Sequence, residues 1–186
     1  MPSVTPLPSV EPIWPYSKQL KDKDCSVITD FGEATEQLIG KLKVACYVYS
    51  GLGLAAPQIG EFVRAAVIHF PRERDAWPII NPVIDEINSK GEQVAYEACL
   101  SIPTAQRINV KVRRARRIFY TYQDITGKKI EAEAEGDLAR VIQHETDHLT
   151  GVFYIDRIGD LARSLVLRSY QKYLEFNPQL GSKQLY

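Results

Sequence analysis

The segment HETDH at residues 144–148 constrains this chain more than any other stretch of its sequence. Residues four apart in a helix lie one above the other, so a helix here carries both histidines on one face. Gly136 and Asp137 predict its start, with Asp137 as the N-cap, and Gly151 predicts a stop just after residue 150. We therefore expect this helix to be the central element around which the rest of the domain packs.

Two imidazoles placed in this way can bind one metal ion, and a glutamate beside them can act as a base toward water. A chance match on a solvated helix is the alternative, but two of the three histidines in the chain fall inside this motif. Catalytic metal sites usually have a third protein ligand, for which the sequence offers Cys99, His69 and Glu175. His69 lies in an alternating strand pattern that favours a structural role. Cys25 and Cys46 are interpreted as small buried side chains.

The remaining sequence predicts further helices and strands on both sides of the motif. A first helix starts near residue 30 or 32 and ends at residues 50–51, and another runs from about residue 160 to 176. Strand patterns occupy residues 62–70, 79–87, 117–123 and 128–134. Residues 124–127 predict a hairpin turn. The sum is an α+β fold in which mixed or antiparallel sheets pack around the central HETDH helix, with a C-terminal helix.

The composition argues against several classes of function. Lys plus Arg and Asp plus Glu both number 23, so the net charge is zero and nothing favours DNA binding. The sequence contains no apolar run of about 18 residues, so it predicts no membrane span. The N-terminal residues resemble neither a signal nor a transit peptide. The three cysteines form no disulfide pattern, which favours the cytoplasm. We expect a monomer with one domain over residues 1–186, in which residues 1–12 are an extended, proline-rich arm.

Two further segments contain residues suited to chemistry. Residues 51–58, GLGLAAPQ, are not a dinucleotide fingerprint, because the preceding segment is predicted to be helical and Ala56 stands where the third glycine belongs. Glycines here either form a tight turn or let the backbone approach a ligand closely. Gln58 offers an amide donor that can stabilise an oxyanion beside a metal site. The segment EACLS, at residues 97–101, carries Cys99 just after a strand pattern.

These three segments together resemble the peptide deformylase family, whose patterns are GxGxAAxQ, EGCLS and QHExDH in the same order. Residues 13–31, 80–82 and 136–156 are also similar to that family, so the resemblance covers residues 13–175. The helical C-terminus resembles the bacterial type-1 branch. The resemblance implies metal-dependent hydrolysis of the N-formyl group from N-formylmethionyl nascent polypeptides, with release of formate.

The resemblance also implies a role for each matching residue. One divalent metal, usually iron(II) in this family and replaceable by zinc, nickel or cobalt, is expected on Cys99, His144 and His148. Glu145 is expected to be the general acid and base, while the Gln58 side chain and the Leu100 backbone N–H form the oxyanion hole. Val141 and His144 help to form the pocket for the first side chain. The expected substrate groove also contains Gly51, Leu52, Gly53, Leu54 and Glu97.

Other functions remain open on the residues alone. An HExxH metalloprotease would use Glu175 as its third ligand, and a deformylase-like binder would hold peptide N-termini without turnover. In some deformylases the C-terminal helix contacts the ribosome, and here that helix carries Arg163, Arg168 and Lys172. A packed terminal helix is the plainer interpretation.

Two departures from the family pattern affect the expected site. Ala98 stands where the family has glycine, and an added methyl is costly if this backbone needs a positive φ or approaches a ligand closely. The following segment is a few residues longer than usual, so the arginine that supports Glu97 is either Arg107 or Arg113. We interpret the basic run at residues 111–117 as a solvated face.

Overall fold

The computed structural model describes residues 10–21, 23–70, 74–87, 91–105, 108 and 110–181. Its helices are α1 (Lys18–Lys21), α2 (Glu33–Val48), α3 (Gly136–His148), α4 (Asp160–Phe176) and α5 (Pro178–Gly181). Its strands are β1 (Gly53–Ala55), β2 (Ala65–Ile68), β3 (Trp77–Ile87), β4 (Glu92–Glu97), β5 (Val110–Ala115), β6 (Arg117–Gln123) and β7 (Lys129–Glu135). Single 3-10 turns lie at Ala56–Ile59 and Tyr154–Arg157. No helix in the described part of the chain combines the length and apolar character that crossing a membrane requires.

Five strands form an antiparallel sheet in the order β1-β2-β3-β6-β7, so the predicted α+β fold with antiparallel sheets is confirmed. Strand β7 alternates exposed charged residues with inward-facing Ile130, Ala132 and Ala134, the pattern of a sheet with one buried face. The predicted hairpin between β6 and β7 is also correct. Gly127 has a φ of 82° in this turn, and the Asp124 carboxylate accepts the Thr126 N–H.

Strands β4 and β5 pair with each other in a separate two-stranded sheet. The sequence interpretation of the basic run in and after β5 as a solvated face is only partly right. Lys111 and Arg113 point outward, whereas Arg114, the residue after Arg113, is 3% exposed. Because successive side chains of a strand point to opposite faces, one residue of this basic run enters the interior.

Helix α3 lies between the two sheets and packs against strands of both. The side chains of α3 are buried along most of its length. The motif residues therefore lie in the interior of the protein, beside the side chains through which α3 packs. The predicted N-cap is wrong, since Glu135 precedes the helix and Asp137 lies in its first turn. The helix ends at His148, slightly earlier than expected. Gly151 then has a φ of 70°, and a Cβ there would lie 2.0 Å from the Lys21 carbonyl oxygen.

Both terminal segments pack against the core. Of the predicted arm at residues 1–12, residues 1–9 lie outside the described part, and residues 10–16 have no regular secondary structure. Helix α4, confirmed at the predicted bounds, buries Val166, Ser169 and Tyr170 against the chain that follows α3. The helix also exposes large apolar side chains at Leu161, Leu165 and Phe176.

Candidate active site

The two histidines of α3 and one cysteine converge in the interior. Helix α3 places the ring centroids of His144 and His148 4.8 Å apart. Cys99 lies just after β4, and its Sγ is 3.3 Å from His148 Nε2. One donor atom from each of the three residues lies within 4.8 Å of the other two. Among the described residues, no other group of three His, Cys, Asp or Glu side chains converges in this way.

The other sequence candidates for the third donor lie elsewhere. Glu175 is on the exposed face of α4, outside this cluster, and the His69 ring packs edge-on against Tyr47. Burial raises the pKa of the Cys25 thiol to about 11 and that of the Cys46 thiol to about 12. Both thiols therefore keep their protons near neutral pH, which agrees with their interpretation as buried structural residues.

The donor set fits a divalent metal ion. A thiolate with two imidazoles is a ligand set for several transition metals. The Nδ1 atom of His144 lies 3.0 Å from the Glu97 carboxylate, and such a contact fixes the ring and leaves its second nitrogen for a metal. All three donor residues are buried, so the surroundings exclude most solvent.

Glu97 is supported by arginines that the sequence interpretation did not identify. Arg114 binds both Glu97 oxygens, at 2.9 and 2.8 Å, and also contacts Asp147. Arg140 adds a contact to Glu97 at 2.5 Å. The prediction of Arg113 is wrong, because its side chain is exposed and pairs with Glu92 on the outer face. The other predicted support, Arg107, lies outside the described residues.

Burial and neighbouring charges shift the pKa values of these groups. Burial alone would raise the pKa of Glu97, but the Arg114 guanidinium and the His144 ring hold it well below its ordinary value. Burial lowers the pKa of His144, yet hydrogen bonding to Cys99 and Glu97 outweighs this and raises it to about 10. Burial and the nearby His144 hold the pKa of His148 well below its ordinary value. A metal held by His144 would have to displace a proton from its ring, whereas the low pKa of His148 leaves that ring neutral.

Glu145 is buried beside the histidines and is not among the converging donors. Its Oε2 atom has no hydrogen-bond partner within the described part of the chain. Burial raises the pKa of this carboxyl to about 7. A Cβ on Gly53 would lie 2.6 Å from Glu145 Cγ, so the glycine makes room for the carboxylate. A buried carboxyl with one unpaired oxygen and such a pKa can accept and donate protons near neutral pH.

Gln58 reaches the cluster from the 3-10 turn after β1. The Ala55 N–H donates to its Oε1 at 2.9 Å, which orients the amide. Its Nε2 donates to Ser101 Oγ at 3.2 Å and faces Cys99 Sγ at 3.5 Å. The structure thus brings an amide donor next to the converging donor atoms, as the glycine-rich motif suggested.

A cavity of about 460 Å³ opens onto the cluster. Among its lining residues are Gly51, Leu52, Gly53, Gln58, Glu97, Ala98, Cys99, Leu100, Arg140, Val141, His144 and Glu145. Leu54, expected in the groove, is instead fully buried in the hydrophobic core. Sequence reasoning missed Arg140, although it lies one helical turn before His144 and its spacing could have revealed it.

The chain matches known proteins in both sequence and structure. A family model described as polypeptide deformylase matches residues 10–164. The chain belongs to the polypeptide deformylase family. The peptide deformylase of Thermotoga maritima is 43% identical over 146 residues, which cover 78% of this chain and 85% of that protein. The peptide deformylase of Acidobacterium capsulatum is 38% identical over 168 residues, covering 88% of this chain and 95% of the relative.

Solved deformylase structures agree with this assignment. The crystal structure of a peptide deformylase from Legionella pneumophila has a TM-score of 0.84 at 31% identity, covering 91% of this chain and 98% of that chain. The peptide deformylase of Ehrlichia chaffeensis, solved in complex with actinonin, has a TM-score of 0.80 at 28% identity, over 89% of this chain and 98% of that one. The protein is therefore a hydrolase that deformylates nascent peptides, in a family that uses a single divalent metal. The metalloprotease and binding-only alternatives are not favoured.

Proposed function

We propose that Cys99, His144 and His148 hold the metal and that Glu145 is the general acid and base of deformylation. The convergence of the three donor atoms within 4.8 Å, beside an unpaired Glu145 oxygen, carries this proposal. A bound divalent metal would act as a Lewis acid that makes water more acidic and polarises the formyl carbonyl. We propose iron(II) as the native ion, with zinc, nickel or cobalt as substitutes that the same donors accept.

Glu145 makes the two proton transfers of the reaction. Its carboxylate takes a proton from the attacking water, whose oxygen forms a bond to the formyl carbon. It then gives that proton to the amine nitrogen as the carbon–nitrogen bond breaks, which leaves a free peptide N-terminus and formic acid, which loses its remaining proton to become formate. A carboxyl whose burial raises its pKa to about 7 is suited to both tasks.

Gln58 and Leu100 stabilise the charge that develops on the formyl oxygen. Both residues line the cavity beside Cys99, which supports the Gln58 amide and the Leu100 backbone N–H as the donors to this oxygen. Losing one donor of this kind typically costs about 3–4 kcal/mol of activation free energy.

The peptide lies along the edge of the larger sheet. Strand β1 is an edge strand, and Gly51, Leu52 and Gly53 at its start line the cavity. An extended peptide can add to such an edge through main-chain hydrogen bonds. Val141 and His144 then form the pocket for the first side chain, while Glu97 holds the His144 ring in place.

We propose that helix α4 contacts the ribosome through its exposed surface. It exposes Leu161 and Phe176 together with Arg168 and Lys172, and basic side chains favour the phosphate backbone of RNA. We propose a monomer in the cytoplasm, where nascent chains emerge from the ribosome.

Three variants test the assignments in one experiment. Cys99→Ala should lose the metal and formate release from a formyl-Met-Ala-Ser peptide, because it removes one of three ligands. Glu145→Gln should keep the metal but lose about 10²–10⁴-fold or more in kcat, as general acid and base catalysis requires. The control Cys25→Ala should keep both. Full metal occupancy in Cys99→Ala, or near-normal turnover in Glu145→Gln, would contradict the proposal.

A further inference from the structure

Residues 14–16, here called the N-terminal strap, connect two segments of the active site. The Trp14 N–H donates to the Gln58 carbonyl oxygen at 2.7 Å. The Tyr16 N–H donates to the Ser101 carbonyl oxygen, also at 2.7 Å. The side chains of Gln58 and Ser101 are hydrogen-bonded to each other at 3.2 Å. The strap therefore holds the backbones of two residues whose side chains meet beside the cluster.

The sequence of the strap suits this bridging geometry. In an extended chain the N–H groups of residues two apart point to the same side, so Trp14 and Tyr16 can donate in parallel. Pro15 between them has no N–H and restricts its own φ, which stiffens the segment. Pro15 is itself buried, so the strap runs against the protein rather than in solvent.

Aromatic contacts attach both ends of the strap to the core. Gly60 ends the 3-10 turn that contains Gln58, here called the Gln58 turn. It has a φ of 87°, and a Cβ on it would lie 2.5 Å from the Trp14 indole. The Tyr16 ring packs edge-on against Phe153, with centroids 4.9 Å apart. The Tyr170 hydroxyl of α4 donates to the Tyr16 carbonyl oxygen at 2.9 Å.

We propose that the N-terminal strap is a positioning element for Gln58. By fixing the Gln58 turn relative to Ser101, it sets where the Gln58 amide lies in the cavity. This inference rests on the proposed role of Gln58 as an oxyanion donor. A donor to the developing charge acts mainly in the transition state, so a loosened strap lowers kcat more than it changes KM. The metal ligands lie outside the strap, so metal content is unaffected.

Trp14→Pro and Trp14→Ala form a matched pair that tests the bond to Gln58. Both variants lose the indole, but only proline also loses the N–H. Each is made in the wild-type chain and in Gln58→Ala, and kcat, KM, metal content and thermal stability are measured on the metal-loaded enzyme. We expect kcat of Trp14→Pro to be at least about tenfold below that of Trp14→Ala, since small displacements of a catalytic group cost up to about 10²-fold. KM should stay within about twofold, with one metal per chain.

The Gln58→Ala background separates the two proposals. In the Gln58→Ala background, Trp14→Pro and Trp14→Ala should have equal kcat, because the amide that the strap positions is absent. Equal kcat of the pair in the wild-type chain, an unchanged kcat gap in Gln58→Ala, or loss of metal in Trp14→Pro would overturn the strap inference. A wild-type kcat in Gln58→Ala alone would instead overturn the oxyanion role, and the strap inference with it.

A milder variant covers the case in which Trp14→Pro does not fold. Tyr170→Phe keeps its ring and removes only the hydroxyl that holds the Tyr16 carbonyl. It should lower kcat about threefold, and this effect should disappear in Gln58→Ala. Tyr173→Phe, on the same helix, is the control and should retain wild-type kcat. The strap inference fails if Tyr170→Phe also has wild-type kcat, or if its effect persists without the Gln58 amide.

Discussion

Ala98 is the residue at which this chain departs from the motif of its family. It has no positive φ, so the backbone does not require glycine here. The residue is exposed and lines the cavity, between the buried Glu97 and Cys99. Its methyl group therefore does not fill a space in the core, and we expect it to face the substrate side.

Replacing Ala98 with glycine should change substrate fit and leave the metal in place. We expect Ala98→Gly to alter KM for peptides with larger first side chains by the equivalent of about 1–3 kcal/mol, as methylene-scale changes in pockets do. Steady-state kinetics on formyl-Met, formyl-Leu and formyl-Phe peptides measure this, with metal content as the control. Identical KM values in both proteins for every peptide would show that the methyl does not touch the substrate.

Gly53 is needed at its position because of the space that Glu145 occupies. Gly53→Ala would place a methyl 2.6 Å from Glu145 Cγ and 2.7 Å from its Oε1, so the carboxylate has to move. We expect kcat to fall by about 10²-fold, the cost of misplacing a catalytic group by roughly 1 Å. Gly40→Ala is the matched control, since nothing lies within 4 Å of a Cβ there. It should keep kcat and stabilise α2 by about 1 kcal/mol. Wild-type kcat in Gly53→Ala would show that Glu145 tolerates displacement.

At the scale of elements, polar side chains attach the β4–β5 hairpin to α3. Arg140 donates to the carbonyl oxygens of Val112 and Gln93, one in each strand. Gln143 exchanges two hydrogen bonds with the backbone of Ala115. Arg114 reaches from β5 to Asp147 in the helix motif. The two strands on either side of the Cys99 segment are thus attached to the helix that carries the histidines.

Removing Arg114 should destabilise this attachment strongly. Its guanidinium is 1% exposed and pairs with both Glu97 and Asp147, so Arg114→Leu leaves two buried carboxylates short of a partner. We expect the free energy of unfolding to fall by about 3–5 kcal/mol. Arg113→Leu, one residue away on the outer face, should leave the melting temperature almost unchanged. Chemical denaturation of both variants measures this difference in stability. Similar midpoints would contradict a structural role for the contacts of Arg114 with Glu97 and Asp147.

At the scale of the whole molecule, the proposed metal connects segments far apart in the chain. Cys99 follows the small sheet, whereas His144 and His148 lie on the helix that packs against both sheets. A metal that binds only the folded arrangement stabilises it by mass action, by about 2.7 kcal/mol when its free concentration is 100 times Kd. Chelation should therefore lower the melting temperature of the wild-type protein. Cys99→Ala should melt at the same temperature with and without chelator. A chelator effect of equal size in Cys99→Ala would mean that the stabilising metal binds elsewhere.

The features predicted best depend on short-range sequence. Helix α4 and strand β6 have the predicted bounds, because side-chain periodicity and helix-stop residues act within a few positions. The predicted N-cap of α3 is wrong, since Glu135 takes this position although Asp137 has the better capping side chain. The chain leaves β7 directly into this helix, so the end of the strand decides where the helix begins.

The sequence by itself determined the family, the α+β class and the three motif segments that supply Gln58, Cys99 and the histidines. Only the tertiary structure decided which residues surround them. Arg114, not Arg113, faces Glu97, because in a strand a shift of one residue exchanges the inner and outer faces. Leu54 lies in the core although its glycine neighbours line the cavity. Pairings between residues far apart in the chain depend on strand register and packing, which no local pattern in the sequence specifies.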